Sequence, residues 1–494
     1  MAEADKLKSA SGGTIEVSEF DNLLKKQFKP KSDAAKTAIE SAVRTLAEQA
    51  LAGAAVVSDD AVRTIENIIA EIDKKLTEEV NAILHHADFQ ALEGAWRGLH
   101  HLVSRTETDE KLKIRVLNIS KADLGKTLKK FKGALWDQSP LFKKLYEEEF
   151  GSPGGQPYGA LVGDYHFDHT PPDVEILKGM AQIASAAHAP FIAGGSPSVM
   201  NLNSWQELSN PRDISKLFTT AEYAAWNSLR KSEDAKYLGL AMPRFLARQP
   251  YGAKSNPVED FAFEEDTAGA EHTKFTWANS AYAMATNITR AFKQYGWCAR
   301  IRGAESGGMV EGLPVHSFPT DDGGTDMKCP TEIAITDRRE AELAKCGFMP
   351  LSHWKNTDYG VFVGAQSLQQ PQEYDDPDAT SNASLAARLP YLFATTRFAH
   401  YLKCIVRDKV GSFKERADMQ QWLNDWIRQF TVDSSASEEN KALKPLAEAE
   451  VVVEEVPGNP GYYTSRFYLR PHYQLEGLTV SLRLVSKLPS AKSG

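Results

Sequence analysis

Apolar positions change their period several times along this chain, and each change predicts a different element. In "SEFDNLLKKQF", Phe20, Leu23, Leu24 and Phe28 share one helical face, Ser18 and Asp21 form a capping pair, and Lys29-Pro30 ends the run. Helix is expected again from about Ser32 to Arg105. Val62, Ile65, Ile69, Ile72, Leu76, Val80 and Ile83 recur at three- and four-residue spacing, and Phe89, Leu92, Trp96, Leu99 and Leu102/Val103 continue the stripe. Two antiparallel helices follow, turning near His85-His86-Ala87-Asp88.

Beyond Arg105 strands and helices alternate. "LKIRVLNI" (Leu112–Ile119), "YGALVGDYHF", "APFIAG", "KYLGLAMP", "WCARIR", "TEIAITD", "FMPLSHW" and "YGVFVGA" read as strands. "EILKGMAQIASAAHA", "WANSAYAMATNITRAFKQYG" (ending at Gly296) and "RREAELAKCG" read as helices, as do the longer "ARLPYLFATTRFAHYLKCIVRDKVG" and "KERADMQQWLNDWIRQF". Pro390 suits the first turn of its helix. From "AEAEVVVEEV" onward, the turn "PGNPG", "YYTSRFYLRP" and "EGLTVSLRLVSKL" predict an antiparallel meander. The last strand is apolar on one side, and an open edge of that kind aggregates unless its own chain or another covers it. The expected class is mixed α/β (α+β), with a helical N-terminal region, a mixed-sheet core and a β-rich C-terminus.

A chain of 494 residues suits two or three domains. We divide it at 1–60 (tail and helices), 61–445 (an α/β core of two subdomains) and 446–494 (C-terminal strands). With 42% hydrophobic and 25% charged residues it can bury a large core, and a formal charge of −9 argues against a general nucleic-acid binder. Cys298, Cys329, Cys346 and Cys404 are scattered, the pattern of reduced thiols rather than a disulfide framework or a zinc site. The N-terminus lacks the apolar run of a signal peptide, and "GMAQIASAAHAPFIAGG" is too short and polar to span a bilayer. A soluble cytoplasmic protein is expected.

Candidate chemistry is sparse. "RGAESGGM" places Ser306 in an Ala-x-Ser-x-Gly pattern close to the nucleophile elbow of an α/β-hydrolase, and a serine hydrolase is the alternative reading. An elbow needs a strand before the serine and a helix after it, whereas Gly312, Pro314, Pro319 and a Gly-Gly pair follow. The glycines after Phe150 lack the Gly-Lys-[Ser/Thr] ending of a phosphate loop. In "DYHFDH", Asp164, His166 and Asp168 would share one strand face beside His169, yet metal ligands normally come from separated segments. His85-His86 and His100-His101 read as turn or helix-surface pairs, and Glu147–Glu149 as a solvated face. No set combines nucleophile, base and orienter, so no catalytic residue, cofactor site or metal site is assigned.

Several long blocks carry a resemblance: "ILHHADFQALEGAWRGLHHLV", "GGQPYGALVGDY", "AHAPFIA", "YLGLAMPRFLARQPYG", "GWCARIRGAESGGMVEGLPVHSF", "PTEIAITDRREAELAKCGF" and "YYTSRFYLRPHYQLEGLTVSLRLVSKL". From about Ala61 to Leu488 they resemble, in order, the large subunit of the type VI secretion contractile sheath. The resemblance implies a structural protein without enzymatic activity, with a core similar to phage tail sheath. It implies an obligate heterodimer with a small sheath subunit, stacked as six-fold rings around an inner tube on a baseplate. It also implies strand exchange between subunits, here through Leu478, Val480, Leu482, Leu484 and Val485. An AAA+ disassembly ATPase would recognise an N-terminal helix, here through Phe20, Leu23, Leu24 and Phe28. Neither nucleic-acid binding nor membrane insertion is implied.

Overall fold

A computed structural model of the chain describes residues 61–210, 213–267, 271–320, 322–409, 416–455 and 463–474, with Thr37 and Ser41 as isolated helical positions. The apolar stripe beginning at Ala61 becomes helix α1 (Ala61–Leu84), and the break at His85-His86 separates it from α2 (Ala87–Ser104). Residues 61–90 and 249–275 belong to one compact unit, and residues 91–248 with those from Thr276 onward to another.

Within the first unit, Asn81 of α1 joins the loop to the helix. Its amide donates to Thr77 O at 2.9 Å and Glu264 O at 3.1 Å, and its carbonyl accepts from Asp266 N at 2.8 Å. Gln90 adds a bond to Thr273 O at 2.8 Å.

The second unit is built on a six-stranded sheet. Its strands are β1 (Leu161–Phe167), β2 (Phe191–Gly195), β3 (Leu238–Met242), β4 (Met309–Val310), β5 (Phe348–His353) and β6 (Gly360–Phe362), in the spatial order β1-β2-β3-β5-β6-β4. The four from β1 to β5 run parallel, while β6 is antiparallel to both β5 and β4. Every residue of β2 and β3 is buried, which requires cover on both faces. Helices α4 (Pro171–Ala187) and α5 (Ser280–Tyr295) pack on β1, β2 and β3, and α3 (Lys121–Lys130) packs on α4. As expected, α5 ends at Gly296, whose φ of 76° is one that glycine adopts without strain. Helix α6 (Asp337–Lys345) lies on β5.

A separate core forms further along. Helices α7 (Leu389–Lys409) and α8 (Arg416–Arg428) bury Phe398, Leu402, Leu423 and Ile427 against Leu446, Val451 and Val453 of the hairpin β7 (Leu446–Glu455) and β8 (Tyr463–Pro471). Trp297 joins this cluster, its ring 4.4 Å from that of Phe398. The fold class is the expected mixture of helix and sheet.

Three expected strands are absent. Leu112–Ile119 runs without turn or bend but forms no ladder, because it meets β1 through side chains: Ile114 and Val162 pack on one small cluster, and Tyr165 Oη donates to Ile119 O at 2.8 Å. "WCARIR" forms no ladder either. Trp297 is drawn into the second core, and Gln474 binds both Ala299 O at 3.0 Å and Arg302 Nε at 2.8 Å. "TEIAITD" yields a single bridge, Thr331 to Phe245, before Thr336 caps α6. The third C-terminal strand lies outside the described residues.

Candidate assembly surfaces

Ser306 sits in a turn, not an elbow. Gly303 and Gly307 take φ of 75° and 90°, and Gly308 N donates to Gly303 O at 2.8 Å. Gly303 N donates to Phe362 O at 2.8 Å and Phe362 N to Gly308 O at 2.9 Å, so the turn is fastened to β6. Arg290 completes the clamp from α5, donating to Gly307 O at 2.9 Å and Met309 O at 2.6 Å. Chain direction after Ser306 leads to the two-residue strand β4, so the helix that an elbow requires directly after its serine does not follow. His353 and His400 spend Nε2 on Thr357 O and Ala187 O. A recess of about 870 Å³ between α8 and the hairpin is lined by neither Ser306 nor a histidine.

The "DYHFDH" residues are divided among separate structural tasks. Asp164 lies beside Asn279 and Tyr282, and burial raises its pKa. Burial, then Arg244 and Lys121, push the His166 imidazole down to about 3. Asp168 lies beyond β1 and turns the chain into α4, accepting from Thr170 N at 2.8 Å and Thr170 Oγ1 at 2.5 Å. His169 pairs with Glu222 at 3.1 Å and stacks on Tyr223. Among the described residues no group of three or more such side chains converges to hold a metal ion. His101 is buried on α2, while His86 and His100 are exposed.

The unusual surfaces are apolar or made of backbone. Helix α2 lies on the core through its glycines: a Cβ at Gly94 would stand 2.4 Å from Trp277 O, and one at Gly98 2.4 Å from the Tyr282 ring. That close approach leaves part of the apolar stripe on the outside, where Leu92 is 56%, Trp96 65% and Val103 46% exposed. Periodicity identified the stripe, but it did not show that the stripe faces away from the core. The small positions Gly94 and Gly98, four residues apart, were the available signal.

At the hairpin the two edges differ. Gln420 and Asn424 of α8 lie along the outer edge of β7: Val451 N donates to Asn424 Oδ1 at 2.9 Å, Asn424 Nδ2 donates to Val451 O at 2.8 Å, and Val453 N donates to Gln420 Oε1 at 3.0 Å. Val451 faces Phe467 across the ladder, so alternation turns the backbone groups of Ser465, Phe467 and Leu469 outward from β8. No described residue pairs with that edge. Arg466–Glu454 at 3.3 Å and Arg470–Glu448 at 2.6 Å mark the exposed face of the hairpin.

The remaining predicted contact residues fall outside the described residues: Phe20, Leu23, Leu24 and Phe28 before α1, and Leu478, Val480, Leu482, Leu484 and Val485 after β8.

Comparison with known proteins follows these two cores. Residues 66–369 match the family described as EvpB/VC_A0108, tail sheath N-terminal domain, and residues 378–488 match its tail sheath gpW/gp25-like domain. The type VI secretion system sheath protein TssC1 of Pseudomonas aeruginosa PAO1 is 70% identical over 496 residues, covering 100% of each chain. Among solved structures, the anti-feeding prophage baseplate aligns at TM-score 0.35 and 10% identity, over 64% of this chain and 67% of that one. The same prophage's contracted helical sheath aligns at 0.25 and 11%, over 62% and 74%. Scores this low carry no argument about fold; the two domain matches and the full-length relative do, and by them the chain belongs to the tail-sheath family of type VI secretion and is a structural sheath subunit.

Proposed function

We propose that this chain is the large subunit of a contractile sheath, pairing with a small subunit and stacking in six-fold rings around an inner tube above a baseplate. Contraction of an extended, metastable assembly would drive tube and spike outward, with the sheath in the bacterial cytoplasm. An AAA+ ATPase would then take hold of the Phe20/Leu23/Leu24/Phe28 segment and recycle the contracted form. The sheath role accounts for the absence of any assembled catalytic set at Ser306.

The observation that carries this reading is the asymmetry of the hairpin. A β7 edge closed by Gln420 and Asn424 beside a β8 edge that no described residue pairs with gives strand addition one side. Strand addition supplies main-chain hydrogen bonds that survive rotation of the bodies they link, as a joint in a contracting lattice requires. The candidate strand Leu478–Val485 follows β8 in the sequence and would serve a neighbour's edge. No helix among the described residues is long and apolar enough to cross a membrane.

Deleting the gene from its native strain and scoring release of the tube protein tests the reading. Loss of release, restored by the wild-type gene, is expected; undiminished release contradicts a sheath role.

A further inference from the structure

Lys113–Ile119 has a strand's sequence without a strand's partner. β-Branched Ile114 and Val116 alternate with Lys113 and Arg115, Leu117 and Ile119 flank Asn118, and the segment runs without turn or bend. Residues 113–119 make no backbone–backbone hydrogen bond with any described residue; the single bond to their backbone comes from the Tyr165 hydroxyl to Ile119 O. Such a row of amides and carbonyls on straight chain is a template for an added strand. Its side chains agree, for Val116 is 68% and Leu117 50% exposed.

The apolar surface continues beyond the segment. Ile114 packs on the Leu102–Tyr282–Ala285 cluster together with Leu99, which belongs to the α2 stripe of Leu92, Trp96 and Val103. A partner seated on the segment therefore lies close to Leu99, the member of the stripe that shares this cluster. Exposed apolar surface that continues from a helix onto an unpaired strand marks a protein interface.

Charge selects the partner. Lys111, Lys113 and Arg115 alternate along the segment; Arg115 is paired with Glu149, whereas neither Lys111 nor Lys113 has a carboxylate partner among the described residues. The strand that a second copy would offer, "LTVSLRLVSKL", carries Arg483 and Lys487, and no acidic residue follows Glu476. Like charges opposite one another across a ladder destabilise it. We propose that Lys113–Ile119 is an acceptor strand, completed in the sheath by a strand of the small subunit that sets carboxylates against Lys111 and Lys113, and that the same subunit covers Leu92, Trp96 and Val103. The inference rests on the heterodimer reading above and adds the surface and the chemistry of the contact.

Hydrogen exchange on the co-expressed complex tests it. Amides of 113–119 should exchange about 100-fold or more slower than in the free peptide. Assembly with these amides exchanging at peptide rates overturns the acceptor strand and leaves the heterodimer standing; absence of any complex with wild-type chain removes both. Val116→Pro deletes one donor at an exposed position that no described group bonds, so the chain's own fold is spared while small-subunit recovery falls about tenfold. Val116→Thr should bind normally, and equal recovery with the proline variant contradicts the proposal. Carbodiimide cross-linking from Lys111 and Lys113 should reach carboxylates of the small subunit; cross-links to a second copy of this chain overturn the choice of partner.

Discussion

Asn424 holds Val451 by both backbone groups, accepting from its N–H at 2.9 Å and donating to its C=O at 2.8 Å. A single side-chain amide thus stands in for a neighbouring strand and closes the β7 edge. Asn424→Leu keeps the branched outline of the side chain and orphans two buried backbone groups, each costing about 1–3 kcal/mol. The assembled protein should melt several degrees lower and aggregate more readily through the exposed edge. An unchanged melting temperature would show that the amide is dispensable.

Gly94 is fixed by its neighbour. Alanine would raise helix propensity by up to about 1 kcal/mol, but its Cβ would stand 2.4 Å from the Trp277 carbonyl oxygen. That oxygen belongs to backbone paired with Leu246 and cannot move alone. Gly94→Ala should therefore lose about 1–3 kcal/mol overall, measurable by denaturant unfolding. A neutral or stabilising result would contradict the close seating of α2.

His101 and His400 make stability fall with acid. Burial leads in both cases, joined by Arg105 and His100 for the first and by Arg397, His188 and Lys403 for the second, and each imidazole is pushed down to about 4. His400 Nε2 donates to Ala187 O at 2.8 Å, and protonation would put a second donor on Nδ1, which has no partner. The unfolded histidines bind protons near pH 6.5, so this contribution is complete above that pH and is lost on acidification toward about 4. Each histidine contributes at most about 1.4 kcal/mol per pH unit. Unfolding midpoints measured between pH 7.5 and 5 should fall, and less steeply for His400→Gln. Equal slopes for the two proteins would remove His400 from the account.

Legibility from sequence followed the range of the forces involved. Helices with a strong period, α1, α4, α5, α7 and α8, were predicted because their stripes are local. Buried parallel strands such as Phe191–Gly195 were equally clear as short apolar runs. "LKIRVLNI" misled because a strand is a property of two segments, and its second is missing from the described residues. "WCARIR" misled because Trp297 serves a core built mostly from residues a hundred positions later. Of the assembly surfaces, the apolar stripe of α2 was visible, but its outward direction depends on Trp277 and Tyr282, far away in sequence. The closed β7 edge depends on two amides of α8 whose partners no local pattern announces.

Leu23→Asp with Leu24→Asp tests the proposed ATPase handle. The substitutions remove half of the Phe20/Leu23/Leu24/Phe28 face. Tubules should assemble normally and resist disassembly by the ATPase in a turbidity assay. Disassembly at the wild-type rate would exclude this segment.

Electron microscopy of the chain co-expressed with the small subunit encoded beside it tests the central claim most directly. Ribbed tubules of constant diameter containing both chains are the predicted result. Discrete small particles from which the partner is absent would contradict it.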